Sequence, residues 1–466
     1  MTFMEDSPMG KVARRASIRV GTDLPTREGV RYFFEVLPFM VMAVLMAVLS
    51  CCYIYSRQLN GPPIRSDGFG YYAYLPSVVI DHNLQFTPAL NNMAPGATAY
   101  NYGIARPLGG TGYFNKYAVG TAILQSPFFV GAHLAARQSG QPATGYSTYY
   151  QWANMLSAYV YMCVGIYFLY ASLRSMHSPA TSLITVVLTV LGTNVFHYAT
   201  YDASFSHIYQ FALTSLLLYL LLNIRSNEGR ISIGQLVAIG VVTGFIVLTR
   251  MTNAIFAMLP AAIFFERWWK DRDLRALMRS GFVVGLAALA ALSPQLLYWK
   301  VSTGHWLVNA YAVVGEDASF HWAHPELINF LFSVRKGAFL WTPALVAAFI
   351  GLPLLIRRTG WLGYAMALLV CVHVYVCASW YCWPFGGSYG SRPMVDVMSI
   401  MALGLAMVIA ALIRRRYVLV LAVSASILMA LNLTMMYAYW RQFVPFDGTT
   451  IGNLLQLPHL ILNSQL

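Results

Sequence analysis

Long apolar stretches alternate with short polar ones along almost the whole chain. Runs able to span about 30 Å of hydrocarbon fall at 33–55, 148–173, 180–198, 204–224, 232–249, 251–266, 280–299, 338–356, 361–380, 393–413 and 417–438. The pattern predicts an all-α polytopic membrane protein with about eleven transmembrane helices. A further run, 117–135, contains Gln125, Pro127, His133 and two glycines. Whether it crosses decides the side on which every later loop lies.

Basic residues arbitrate, because cytoplasmic loops collect lysine and arginine. If 117–135 does not cross, one side receives Lys11, Arg14, Arg15, Arg19, Arg27 and Arg31, then Arg174, then Arg225 and Arg230. The same side takes Arg267, Lys270, Arg272, Arg275 and Arg279, then Arg357 and Arg358, then Arg414, Arg415 and Arg416. These make nineteen of the chain's 30 lysines and arginines. The expectation is therefore a juxtamembrane or re-entrant helix at 117–135, with the N-terminus inside and the C-terminus outside. Residues 1–32 form a disordered cytoplasmic tail ahead of a retained signal anchor, since the apolar run after them is too long for a signal-peptide core.

Composition agrees with the pattern. Of 466 residues 58% are hydrophobic and only 10% charged, at a mean hydropathy of +0.57, too few charges to cover a soluble surface. The net charge of +13 lies in short clusters between apolar runs, which argues against a nucleic-acid partner. Cys51, Cys52, Cys163, Cys371 and Cys377 fall inside apolar spans and Cys382 near a boundary, a spacing that suits neither a disulfide framework nor a zinc site.

Three external segments are long: 56–147, 300–337 and 439–466. The first far exceeds a helix connection and is the natural place for function. The acids sort accordingly. Asp67, Asp81, Asp202, Glu316, Asp317, Glu326, Asp396 and Asp447 fall on or near the outer side, while Glu228, Glu266, Asp271 and Asp273 sit among the inner arginines.

The first external loop opens with "RSDGFGYY". Asp67 there can cap a helix, with Tyr71 and Tyr72 as interfacial anchors. Alternatively it is a functional carboxylate whose neighbours Gly68 and Gly70 let a substrate approach the backbone, and Arg65, Tyr71 and Tyr72 contact that substrate. Asp81 and His82 read as a helix-terminal turn. Lys116, in "NKYAVG", either snorkels or meets a lipid phosphate. Asp202 and His207 lie on the short turn before the fourth span, with Asp202 able to cap the helix that follows. Arg250 is the only charge on its turn; an arginine at membrane depth is costly, so Asp202 or a ligand anion should pair with it. Arg392 follows a glycine-rich stretch that lacks the features of a nucleotide-phosphate loop. Trp306, Tyr311, Trp322, Trp380 and Trp383 could stack on a sugar or merely belt the interface.

Ion-coupled transporters place charges near mid-membrane, and these spans are almost free of them. External acids and cations instead suit an enzyme whose lipid substrate arrives from the outer leaflet. One carboxylate would take the acceptor hydroxyl proton, and arginine and lysine would stabilise the departing phosphate. A lipid-linked sugar or polysaccharide transporter or flippase is the alternative, and a non-catalytic scaffold a third reading.

The order of features resembles the GT-C superfamily of integral-membrane glycosyltransferases, in particular the bacterial protein mannosyltransferase and aminoarabinose transferase group. It comprises an Asp in a long first external loop, a helix after it, a Lys opening a membrane-skimming segment ("NKYAVGTAILQSPFF") and an outer turn with Asp before the fourth span. The likeness covers residues 33–300, with 301–466 as a variable C-terminal part. It departs from the group where Lys116 is followed by Tyr117 rather than Pro, and where no second acid follows Asp67. The resemblance implies a transferase in a bacterial inner membrane with its site facing outward. Its donor would be a polyprenyl-phosphate-linked sugar and its acceptor a lipid, a glycan or a protein. It also implies catalysis by Asp67, with Lys116 and the external arginines on the donor phosphate. An inverting displacement is expected; no cofactor is required, no metal ligand is assigned, and a divalent metal is left open.

Overall fold

The computed structural model describes residues 27–56, 61–92, 102–106, 112–226 and 229–463; most of the expected N-terminal tail and Glu228 lie outside them. The chain opens with α1 (Arg27–Ser56) and then forms the first loop: α2 (Ser66–Tyr72), α3 (Tyr74–Val79), α4 (Thr87–Leu90), β1 (Ile104–Ala105), β2 (Phe114–Asn115) and α5 (Gly120–Gln138). Next come α6 (Thr148–Arg174), α7 (Pro179–Leu191), α8 (Val195–Thr200), α9 (His207–Ser226), α10 (Ile233–Thr249), α11 (Met258–Asp271) and α12 (Leu274–Thr303). Three short helices, α13 (Ala310–Val313), α14 (Leu327–Phe332) and α15 (Ala338–Trp341), lead to α16 (Ala344–Thr359), α17 (Trp361–Ser379), α18 (Met398–Arg414), α19 (Val418–Trp440) and α20 (Ile451–Asn463).

The molecule is an all-α polytopic membrane protein. Each of the eleven apolar runs is helical, and among the described residues seven helices are long and apolar enough to cross a membrane: α1, α6, α9, α12, α17, α19, and α18 taken with the turn before it. α5, at 19 residues, is not among them. Several runs expected to be continuous are broken. The 180–198 run divides at 192–194 between α7 and α8, and the 251–266 run starts as a 3-10 helix, Met251–Ala257. The 338–356 run divides at Thr342 and Pro343, and the 393–413 run starts as a second 3-10 helix, Arg392–Val397.

Local chemistry sets many of these ends. Ser178 accepts the Thr181 N–H ahead of Pro179, and Ser232 and Gln235 form a reciprocal capping box at the start of α10, each satisfying backbone donors that a helix N-terminus leaves open. α10 and α12 then pack backbone to backbone: a Cβ on Gly240 would lie 2.5 Å from the Val284 carbonyl oxygen, and one on Gly244 2.6 Å from that of Ala288. This is the small-residue contact by which helices associate where no hydrophobic drive separates them from lipid.

One apolar core runs through the helical bundle. A second lies under the first loop, where Phe69, Tyr72, Tyr74, Phe86 and Phe114 gather with Tyr298 and Trp299 from the end of α12. Phe114 and Tyr298 stack at 5.4 Å between ring centroids. The loop thus folds as a cap on the bundle, and its polar residues are held over the ends of α9, α10 and α12.

Candidate active site

Asp67 sits in the first turn of α2 but does not cap it: the N-cap is Arg65, and no side-chain capping bond is formed. Its carboxylate faces inward. Oδ1 accepts a hydrogen bond from the Tyr117 hydroxyl at 2.7 Å, and Oδ2 meets Arg392 Nη1 at 2.7 Å. Burial alone would raise the pKa of this carboxyl. The Arg392 charge, the Tyr117 hydrogen bond and Lys116 outweigh it and hold the group below its ordinary value.

The two glycines beside Asp67 serve a different purpose from the substrate access expected of them. A Cβ on Gly68 would lie 1.8 Å from Ser204 Oγ, and one on Gly70 2.3 Å from the Tyr117 ring and 2.4 Å from the Tyr102 carbonyl oxygen. The space a side chain would need is occupied by the protein itself, so these positions seat α2 rather than a ligand. Asn115 completes the seating: its amide donates to the Gly70 carbonyl at 2.7 Å and its oxygen accepts the Tyr117 N–H at 3.1 Å. Tyr74 donates to the Tyr117 carbonyl at 2.6 Å.

The antiparallel β1–β2 ribbon leads directly into Lys116 and Tyr117. Lys116 Nζ pairs with Glu316 at 2.5 Å, a contact reaching across to the second external segment. Arg250 does not pair with Asp202. Its guanidinium lies 3.2 Å from Asp396, and Asp396 is also bonded to His207 Nδ1 at 3.1 Å and to the Asn253 amide at 3.0 Å. The 3-10 helices account for this pairing: Met251–Ala257 carries Asn253 beside Arg250, and Arg392–Val397 carries both Arg392 and Asp396.

Asp202 instead belongs to a buried cluster behind α2. It accepts from Arg65 at 3.1 Å and contacts His197 Nε2 at 2.9 Å. Because Trp440 donates to His197 Nδ1 at 3.0 Å, a neutral imidazole there carries its proton on Nε2 and donates it to Asp202. Arg65 further donates to the Tyr201 carbonyl at 2.6 Å. The group is a brace, and Arg65 and Asp202 do not line the cavity at Asp67. Nor does Tyr72, which is buried with its hydroxyl on the Gly145 carbonyl at 2.6 Å.

That cavity, about 520 Å³, is lined by Asp67, Tyr71, Lys116, His207, Arg250 and Arg392 among the residues singled out in the sequence. Aromatic walls come from Phe205, Trp299, Tyr311, Phe320, Trp380 and Phe385; Trp306, Trp322 and Trp383 lie outside it. The arrangement provides two carboxylates, Asp67 and the Glu316 paired with Lys116, three cations and flat apolar faces around a single space. Among the described residues, no group of three or more His, Cys, Asp or Glu side chains is placed to hold a metal ion.

Sequence reasoning missed several members. Tyr117 was noted only as the residue where a proline is usual, and Glu316 and Asp396 were counted as external acids without roles. Lys336 had no local signal at all. It is buried, donates to the Phe446 carbonyl at 2.6 Å and to that of Ser388, and so pins the glycine-rich loop leading to Arg392. Burial lowers its pKa to about 7.

This bundle with a folded first loop shares its fold with a solved oligosaccharyltransferase. The archaeal oligosaccharyltransferase AglB from Archaeoglobus fulgidus, solved with an inhibitory peptide and a dolichol-phosphate, superposes with a TM-score of 0.52 at 11% identity, covering 88% of this chain and 56% of that one. ArnT from Cupriavidus metallidurans, bound to undecaprenyl phosphate, matches with a TM-score of 0.45 at 14% identity, covering 80% and 60%. The chain therefore spans little more than half the length of the AglB chain it matches. No protein-family model and no curated protein sequence matches it.

Proposed function

We propose that the chain is a membrane glycosyltransferase that moves a sugar from a polyprenyl-phosphate donor to a hydroxyl-bearing acceptor outside the cytoplasm. The observation that carries this reading is the convergence of Asp67, Lys116, Arg250 and Arg392 on one aromatic-lined cavity. The fold shared with AglB and the dolichol-phosphate and undecaprenyl phosphate bound by the neighbours agree with it.

In this reading the acceptor hydroxyl gives its proton to an Asp67 carboxylate oxygen as its own oxygen attacks the anomeric carbon. The bond between that carbon and the phosphate oxygen breaks, and its electron pair leaves with the phosphate. Arg392, Arg250 and Lys116 face the charge that grows there. A single displacement inverts the anomeric centre. Arg392 holds Asp67 in its ionised form but also weakens it as a base. Arrival of the donor phosphodiester, a monoanion whose charge grows towards two as the bond to the anomeric carbon breaks, would draw Arg392 away and relieve that weakening as the base is needed. Tyr311 and Trp380 are placed to stack on the sugar.

The test is sugar transfer by the purified full chain from a lipid-linked donor, with the anomeric configuration of the product determined. Inversion is expected. Retention of configuration, or movement of the lipid-linked sugar across vesicles with no transfer, would refute the assignment. Lys116→Ala should raise the donor KM about tenfold while leaving the acceptor KM unchanged, the loss of one charge-assisted hydrogen bond.

A further inference from the structure

A second cavity lies far from Asp67. α10 ends at Arg250, and the end of α12 supplies Gln295 and Trp299 to the first cavity, so the opposite ends of this tightly packed pair lie across the bundle. There the turn before α10, the end of α11 and the start of α12 enclose about 400 Å³, lined by Arg230, Arg267, Arg275 and Arg279 together with Trp268 and Ser280.

The basic character is built in. Arg267 is half-buried and donates to the Gly229 carbonyl at 2.7 Å and that of Ile224 at 2.6 Å, while Arg279 donates to the Ile231 carbonyl at 3.0 Å. These bonds aim the guanidinium groups. Two acids also line the space, Asp271 and Asp273, but the Asp273 carboxylate accepts the Ala276 N–H at 3.0 Å as the cap of α12. Burial lowers the pKa of Arg267 against the opposing pull of Asp271 and Glu266. The N-terminal ends of α10 and α12 add positive potential in the same direction. Trp268, with Trp269 beneath the Arg272 guanidinium at 4.3 Å, supplies the amphipathic rings typical of the headgroup layer.

We propose that this cavity binds the phosphate-bearing headgroup of an anionic membrane lipid, in the layer opposite the Asp67 cavity. A basic pocket between helix ends at headgroup level is what such lipids recognise, and the flanking Phe264 and Leu277 suit the start of an acyl chain. The inference does not depend on the transferase reading.

The experiment uses delipidated full chain in neutral detergent, titrated with phosphatidylglycerol or phosphatidylcholine and read by native mass spectrometry, with inorganic phosphate as competitor. Phosphatidylglycerol should bind and phosphatidylcholine should not. Binding should weaken about fivefold for each arginine removed in Arg230→Gln and Arg275→Gln, two exposed rim residues whose loss spares the bonds of Arg267. Arg267→Gln should weaken it at least as much. Equal binding of phosphatidylcholine, or unchanged affinity in the Arg230→Gln Arg275→Gln double variant, overturns the proposal. Displacement of the lipid by inorganic phosphate would make the occupant a free phosphate and overturn the lipid assignment.

Discussion

Arg392 and Asp67 meet at 2.7 Å from opposite ends of the chain, their side chains 15% and 20% exposed. Neither position predicts the other in sequence, and the pair joins a helix of the first loop to the turn before α18.

Replacing Asp67 by Asn removes the proton acceptor while keeping shape and one hydrogen-bond acceptor for Tyr117. Transfer should fall by about 10²- to 10⁴-fold, with elution from gel filtration unchanged. Normal turnover by the variant would remove Asp67 from the mechanism.

The acid limb of kcat/KM against pH should lie below the ordinary carboxylate range, because Asp67 stays ionised as pH falls until its depressed pKa is reached. Arg392→Gln removes the largest opposing charge, leaves burial less opposed and should move the limb to higher pH. A limb that stays in place would mean that another group titrates.

Arg250→Ala leaves Asp396, wholly buried, with only His207 and Asn253. Stranding a buried charge costs about 3–5 kcal/mol, so the melting temperature in detergent should drop sharply. Arg250→Ala with Asp396→Asn should recover much of the loss. Recovery of stability without activity would separate the structural task of Arg250 from its place beside the donor.

Gly68→Ala drives a methyl group into Ser204. Overpacking of this kind costs about 1–3 kcal/mol and should lower thermal stability and transfer together. Adding Ser204→Gly, which removes both the hydroxyl and its carbon, should restore them; failure to restore would place the clash elsewhere.

Lys336 carries a pH dependence of the same sign as Asp67 but in a higher window. Its pKa in the folded chain is about 7, below its unfolded value near 10.4, so the unfolded chain binds the extra proton between these limits. Stability should therefore rise with pH across that window, by up to about 1.4 kcal/mol per pH unit. Thermal melts of wild type and Lys336→Gln read this directly, and parallel curves for the two would refute it.

The helices were legible because a span must be apolar over its whole length, a signal that needs no partner. Their breaks were less so. Gly192–Asn194 and Thr342–Pro343 interrupt runs whose hydropathy continues unchanged, and the 3-10 turns at 251 and 392 are set by the long-range pairs they carry. Asp67, Lys116, His207, Arg250 and Arg392 stood out as polar residues flanking apolar ones, and one cavity gathers them. Arg65, Tyr72 and Asp202 stood out for the same reason yet serve packing and bracing, since local contrast marks a buried polar residue without saying what it faces. Glu316 and Lys336 answer chiefly to residues far along the chain, Lys116 for the one and Ser388 and Phe446 for the other.

Asn115 gives the two walls of the cavity unequal freedom. Its single amide fastens the backbone of α2 to the strand that delivers Lys116 and Tyr117, so the base and its tyrosine travel as one rigid piece. The opposite rim, tied to the bundle by the Phe320–Trp380 bridge, meets this piece through an ion pair, Lys116 with Glu316, which an incoming anion can trade away. Any gate on this chamber would therefore be expected to swing on the Glu316 side.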